Sequence, residues 1–248
     1  MPSILGAAAS GMTHNQNKLD AVAFNVANAE TFAYKKIRPL HEGLPTPEVD
    51  PEGGRLGVAQ TTTDLIFSQA ATQVTDNPLN FAIEDDAFLR VQDYDGRIVY
   101  TRVGALGTDV DGNVTVLGDH LLEPPIQAPG GFWTQHQVDA DGVVSALDEN
   151  GERQELGQLS FAKFRNPQGL EILGGGMYAD TANTGEITVG PAGTEGFAAL
   201  RPGALEGSNV DMAEEFTTMI IAQRAYSACA KTFGIGDEML AIATNITQ

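Results

Sequence analysis

Apolar residues recur every seven positions at both ends of this chain and alternate with polar ones between. Near the start, Leu5, Met12, Leu19 and Val26 are spaced by seven, and Ala8, Asn15, Val22 and Ala29 each follow three residues later. This is the a/d pattern of a helix with one apolar seam, running about four heptads with a polar layer at Asn15. Near the end, Met212, Met219, Tyr226, Phe233 and Leu240 keep the same spacing, with Phe216 and Ile220 in the same run. Ser208, Asn209 and Asp211 are N-cap residue types, and Glu214 and Glu215 stand where the positive end of a helix favours carboxylates. Each seam needs a cover, and each end of the chain offers the other a matching one. Mutual pairing as a coiled coil is expected. Gly234 and Gly236 each cost about 1 kcal/mol relative to alanine inside a helix, which predicts a kink there and a restart at Asp237.

The pattern changes between the ends. Residues 37–57 are rich in proline and glycine and read as a linker or surface loop. From residue 75 onward, short runs alternate with period two: Leu79, Phe81 and Ile83, then Phe88 to Gln92, then Ile98 to Val103. Asp95-Gly96, Asp111-Gly112, Asp141-Gly142 and Asn150-Gly151 supply hairpin turns between such runs. The fold class predicted is mainly β with long α-helical termini, an antiparallel β domain between two paired helices. The boundaries expected are an assembly helix at 1–36, a linker at 37–74, the β domain at 75–206 and a second assembly helix at 207–248.

Charge narrows the partners. The formal net charge is -19, which argues against nucleic acid and against anionic membrane surfaces. Residues 42–209 hold 26 of the acidic and 8 of the basic side chains, so the ends are nearly neutral and the middle is a solvated acidic body. No stretch approaches a transmembrane helix in length. The apolar N-terminal run is short, lacks a preceding Lys or Arg and is broken by Gly6 and Ser10, so no cleaved signal is expected. The single cysteine, Cys229, permits no intrachain disulfide and reads as a small packing residue.

Candidate chemistry is sparse. The pairs Asp93/Asp95, Asp109/Asp111 and Asp139/Asp141 lack the ligand spacing of a calcium loop and are explained by their turns. His14, His41, His120 and His136 show no metal-ligand spacing, and Gly174-Gly175-Gly176 lacks the Lys-Ser or Lys-Thr of a phosphate loop. Trp133 beside Phe132 fits either a sugar-stacking platform or a core plug. No enzyme activity, metal or cofactor is expected.

The segment Asn25-Val26-Ala27-Asn28-Ala29-Glu30-Thr31-Phe32-Ala33-Tyr34-Lys35 resembles the N-terminal signature of the flagellar rod and hook axial proteins. Asn25, Ala27, Asn28, Thr31, Tyr34 and Lys35 fit it; Phe24 stands for a usual asparagine and Ala33 for a usual glycine. Asp76-Asn77-Pro78-Leu79, Tyr100-Thr101-Arg102, Asp111-Gly112-Asn113 and Asn166-Pro167-Gln168-Gly169-Leu170 follow in the family's order. Asp85-Asp86-Ala87-Phe88 replaces the usual Gly-Asp-Gly-aromatic. The resemblance implies a structural subunit, most like a basal-body rod protein. Its terminal helices would pair and pack against neighbours as an inner tube, with the β domain outside. The assembly positions it implies are Leu5, Met12, Leu19 and Val26 against Met212, Phe216, Met219, Ile220, Tyr226, Phe233 and Leu240. Asn25, Asn28 and Thr31 belong to the first signature, and Ser208, Asn209, Gln223, Arg224 and Tyr226 to the second. Gln223 and Arg224 are expected to make polar contacts between subunits. The partners implied are the chain itself, other flagellar axial proteins and the flagellar type III export apparatus, in the basal body. Gln223-Arg224-Ala225-Tyr226 and the stretch from Leu205 to Val210 resemble the distal-rod type, the length and short linker also suit a proximal-rod member, and a very short hook-like protein stays open. The rival reading is an extracellular β-rich module, binding glycans, with helical ends for dimerisation.

Overall fold

A computed structural model describes residues 2–43, 58–127, 134–147, 151–194 and 196–246. Helix α1 spans Pro2–Ala27 and helix α2 spans Met212–Ile246. Between them run β1 (Ile37–Gly43), β2 (Val58–Leu65), β3 (Thr72–Val74), β4 (Phe81–Ile83), β5 (Ala87–Gln92) and β6 (Ile98–Thr101). Then come β7 (Leu106–Thr108), β8 (Val114–Val116), β9 (His120–Leu122), β10 (Thr134–Val138), β11 (Val143–Leu147) and β12 (Arg153–Gln158). The last are β13 (Ser160–Phe164), β14 (Glu171–Gly174), β15 (Met177–Ala179), β16 (Ile187–Pro191), β17 (Leu200–Pro202) and β18 (Ala204–Glu206). Among the described residues every strand pairing is antiparallel. The fold is mainly β with a helix at each end.

The chain divides into two units. The first comprises Met1–Ala29, Lys36–Ile66 and Val210–Gln248. It holds α1, α2 and the hairpin β1–β2. Residues 37–65, expected as linker, thus form a β-hairpin along their described parts, with Arg38 opposite Asp64 and ion-paired to it at 2.8 Å. Turn residues dominate only 44–57, which lie outside the described residues.

The second unit comprises Glu30–Lys35 and Phe67–Asn209. Its main sheet runs β14-β15-β6-β5-β9-β8-β7, with β13 also on β5 and β16 beyond β13. Three of the expected Asx-Gly turns form as the sequence requires; Asn150 of the fourth lies outside the described residues. Gly96, Gly112 and Gly142 take positive φ, and their N–H groups donate to the carbonyls of Asp93, Asp109 and Asp139. Phe81, Phe88, Leu89, Val91, Leu122 and Phe161 are buried at its centre. Phe88 meets Phe67, Phe164 and Tyr178 edge-on, with ring centroids 5.3–5.9 Å apart, an arrangement favoured by aromatic quadrupoles. Gly104 is dictated by contact: a Cβ there would sit 1.8 Å from the Phe81 carbonyl oxygen.

Two of the departures from the axial pattern, at Ala33 and Asp85, have separate explanations. Ala33 does take the left-handed conformation, at φ 57. That costs an L-residue about 1 kcal/mol, but its methyl is buried in the core, worth about 0.8 kcal/mol. The two terms nearly cancel, so alanine is tolerated where glycine would be freer. Asp85 avoids positive φ and uses its carboxylate instead. It pairs with Lys163 and accepts the Ala198 N–H at 3.1 Å.

The kink expected at Gly234 and Gly236 is absent: α2 is continuous through both. Helix propagation needs only a small net gain per residue once nucleated. Two isolated glycines in 35 residues lower stability without stopping the helix.

Candidate assembly site

The two helices of the first unit run antiparallel. Gly11 lies against Cys229, where an added Cβ would be 2.9 Å from Sγ. Fourteen residues on, Asn25 Nδ2 donates to Glu215 Oε2 at 3.3 Å. Between these points α1 turns Ala8, Gly11, Asn15, Lys18, Val22 and Asn25 inward, and α2 turns Glu215, Thr218, Ala222, Ala225 and Cys229 inward; all are buried or half-buried. Both series step by three and four. Small side chains let the backbones approach closely.

This is not the seam expected for α2. Met212, Phe216, Tyr226 and Phe233 are exposed, Phe216 by 47% and Phe233 by 38%. Ile220 is 53% exposed, while Met219 and Leu240 are half-buried. Residues 212, 216, 219, 223, 226, 230 and 233 also step by four and three, so they form a second heptad seam beside the first, exposed except at half-buried Met219. The physical reason is size: the bulky seam cannot enter the close approach at Gly11, and the small seam can. On α1, Leu5, Met12, Leu19 and Val26 are half-buried along the flank of the contact.

Signature residues close the first unit. The Asn25 side chain is buried and mimics a backbone partner for Ile37. Its Oδ1 accepts the Ile37 N–H and its Nδ2 donates to the Ile37 carbonyl, both at 2.9 Å. Lys36 Nζ donates to Glu215 at 2.7 Å and Glu214 at 2.9 Å. Partial burial alone would lower the Lys36 pKa, but these two carboxylates raise it above its ordinary value. Asp211 caps α2, accepting the N–H groups of Ala213 at 2.8 Å and Glu214 at 3.2 Å. Asn28 donates to the Phe24 carbonyl, and Thr31 is exposed.

A second fastening lies in the other unit. Glu206 is buried with Lys35 and Arg102. Its Oε1 accepts from Lys35 Nζ at 2.7 Å and the Ala70 N–H at 3.0 Å, and its Oε2 from Arg102 Nε at 3.1 Å. Its backbone carbonyl takes the Ala33 N–H at 2.8 Å. Lys35 also donates to the Ser68 carbonyl at 2.9 Å, and Asn209 Nδ2 reaches the same carbonyl at 3.2 Å. Burial alone would raise the Glu206 pKa; Arg102, Lys35 and the Ala70 N–H outweigh it and hold the carboxyl below its ordinary value. Burial and the neighbouring Arg102 draw the Lys35 ammonium down to about 8. The first signature thus ends, at Lys35, on the Glu206 carboxylate, and Ser208, two residues on from it, is half-buried.

Glu206, Arg102, Glu215 and Lys36 were not among the expected site residues. Lys35 and Arg102 stand in stretches that fit the axial pattern, but no periodicity marks a charge as buried. Gln223 and Arg224 are exposed, and Arg224 makes no ion pair among the described residues. Trp133 and Phe132, the candidate sugar platform, lie outside the described residues. Among the described residues, no helix is long and apolar enough to cross a membrane.

Residues 201–246 match the family model described as flagellar basal body rod FlgEFG protein C-terminal. Residues 82–146 match that of the flagellar hook protein FlgE/F/G D1 domain. The chain is similar to the flagellar basal-body rod protein FlgG of Borreliella burgdorferi, 36% identical over 264 residues that cover all of both chains. It is 34% identical to that of Bacillus subtilis over 259 residues, 96% of this chain and 97% of the relative. The flagellar hook protein FlgE of Borreliella burgdorferi is 35% identical over 145 residues, 57% of this chain and 33% of the hook protein.

Proposed function

This chain belongs to the flagellar basal-body rod protein family, and we propose that its terminal helix pair is the device that polymerises it into the axial tube. It is a structural subunit of the basal body in the cell envelope and associates with other rod and hook axial proteins. In the reading proposed here, α1 and α2 pair as a short antiparallel coiled coil through their small seams. The tube so built transmits torque and carries export, and the subunit itself leaves through the flagellar type III pathway. The chain has no enzymatic step in this reading: its role is mechanical.

One observation carries the proposal. A helix whose Met212, Phe216, Tyr226 and Phe233 are exposed along one heptad seam keeps an apolar stripe in water that burial would stabilise by about 25 cal/mol per Å². A structural core would have turned that stripe inward; an assembling subunit keeps it for its neighbours. Leu5, Met12, Leu19 and Val26 border the pair and support the same surface.

The test is the double substitution Phe216→Asp with Phe233→Asp in the chromosomal copy. Both sites are exposed, so the purified chain should melt as the parent does. Motility should be lost and the chain should vanish from isolated basal bodies. Normal rods carrying the variant would overturn the proposal.

A further inference from the structure

The outward seam of α2 is uniformly apolar or small except at one central layer. From Met212 to Phe233 it reads Met, Phe, Met, Gln, Tyr, Ala, Phe, and the glutamine is Gln223. Helix α1 also has a face turned away from its partner: Gly6, Ala9, Thr13, Gln16, Asp20, Ala23 and Ala27, all exposed and again stepping by three and four. That face is shallow where the other is bulky. Each covers 22 residues, about 31 Å end to end at 1.5 Å per residue, and each carries one glutamine at its middle. Neither amide makes a side-chain hydrogen bond among the described residues.

Laid antiparallel, with Gln16 against Gln223, the two faces interlock. Gly6 falls opposite Phe233, Ala23 opposite Phe216 and Ala27 opposite Met212, so small residues receive large ones. Asp20 opposite Met219 is the one poor match. This register differs by a single residue from that of the pair within the chain, where Gly11 meets Cys229 and Asn25 meets Glu215. The same two helices can therefore continue their own packing from copy to copy.

We infer that the outward seam of α2 is covered by α1 of a second copy, antiparallel, with the Gln16 and Gln223 side chains hydrogen-bonded across the contact to fix its register. The inference rests on polymerisation through the terminal helices and adds which helix meets which, and where. An amide pair in a mostly apolar contact is a register device, because any slip leaves both amides buried without partners. A one-heptad slip would also place Phe216 against Gln16 and Gln223 against Ala9.

The experiment uses two singly substituted full-length chains, both carrying Cys229→Ser. One has Gln16→Cys and the other Gln223→Cys; they are co-expressed in flagellated cells, and isolated basal bodies are oxidised. A disulfide needs Cα atoms within about 7 Å, so a mixed dimer on a non-reducing gel reports a contact between copies at this layer. A second pair, Ala23→Cys with Phe216→Cys, should give the same dimer; Gln16→Cys with Phe216→Cys, one heptad out of register, should not. Basal bodies that contain both chains but cross-link only out of register, or not at all, overturn the inference and leave the rod reading intact. A parent chain that never enters basal bodies overturns the rod reading itself.

Discussion

Glu206→Gln keeps the shape of the side chain and removes its charge. In the parent, one carboxylate faces three donors: Lys35 Nζ at 2.7 Å, the Ala70 N–H at 3.0 Å and Arg102 Nε at 3.1 Å. A glutamine can turn its oxygen to one side only, so its NH2 must then face a donor on the other. Two cations with almost no exposed side-chain surface would also lose their counter-ion. Removing one partner of a buried ion pair costs about 3–5 kcal/mol. That is a large part of the ~5–15 kcal/mol that stabilises a domain. With a urea m-value of ~2 kcal/mol/M, the midpoint should fall by roughly 1.5–2.5 M. Circular dichroism of the β domain would follow it. Lys35→Met should couple to Glu206→Gln in a double-mutant cycle by more than about 1 kcal/mol. The pH dependence has a definite sign. Because the folded pKa of Glu206 lies below its ordinary 4.5, its contribution is present above pH 4.5 and is lost as pH falls through the folded value. Over that acid window the parent should lose more stability than Glu206→Gln. A midpoint shift under roughly 0.5 M, equivalent to about 1 kcal/mol at that m-value, or a vanishing coupling would refute this account of Glu206.

Asn25→Ala should destabilise the first unit by about 2–3 kcal/mol, because it strands the Ile37 backbone groups and removes a donor from buried Glu215; thermal melting by circular dichroism at 222 nm reads it from the helices. Gly234→Ala should stabilise α2 by about 1 kcal/mol, since nothing lies within 4 Å of a Cβ built there, and amide exchange along residues 230–240 should slow. Unchanged exchange would mean that the glycine carries no helix penalty at this position.

The sequence carried the coarse architecture because period and turn chemistry are local. Seven-residue spacing gave a helix at each end, and Asx-Gly pairs with two-residue alternation gave the antiparallel sheets. The hairpin β1–β2 escaped because Pro39 and the surrounding turn residues mask a strand whose identity comes from its partner: Arg38 faces Asp64 only once residues 58–65 fold back. The buried ion cluster escaped for a similar reason. Lys35, Arg102 and Glu206 are far apart in sequence, and nothing in their local pattern distinguishes them from solvated charges.

The seam of α2 shows the limit most sharply. A heptad of large apolar residues was readable, and so was a second heptad of Glu215, Thr218, Ala222, Ala225 and Cys229 beside it. Hydrophobicity alone ranks the first as the one to bury. Closeness of approach reverses the order: Gly11 brings α1 to within a side-chain atom of Cys229, a distance at which Phe216 or Tyr226 could not fit. The packing within the chain thus takes the smaller surface and leaves the larger one free. For a monomeric enzyme that division would be a defect, since it exposes the better apolar face to water and invites aggregation. In the proposed rod assembly it would separate two tasks. The small seam would hold each helix pair together, and the large seam would be buried only against a neighbour.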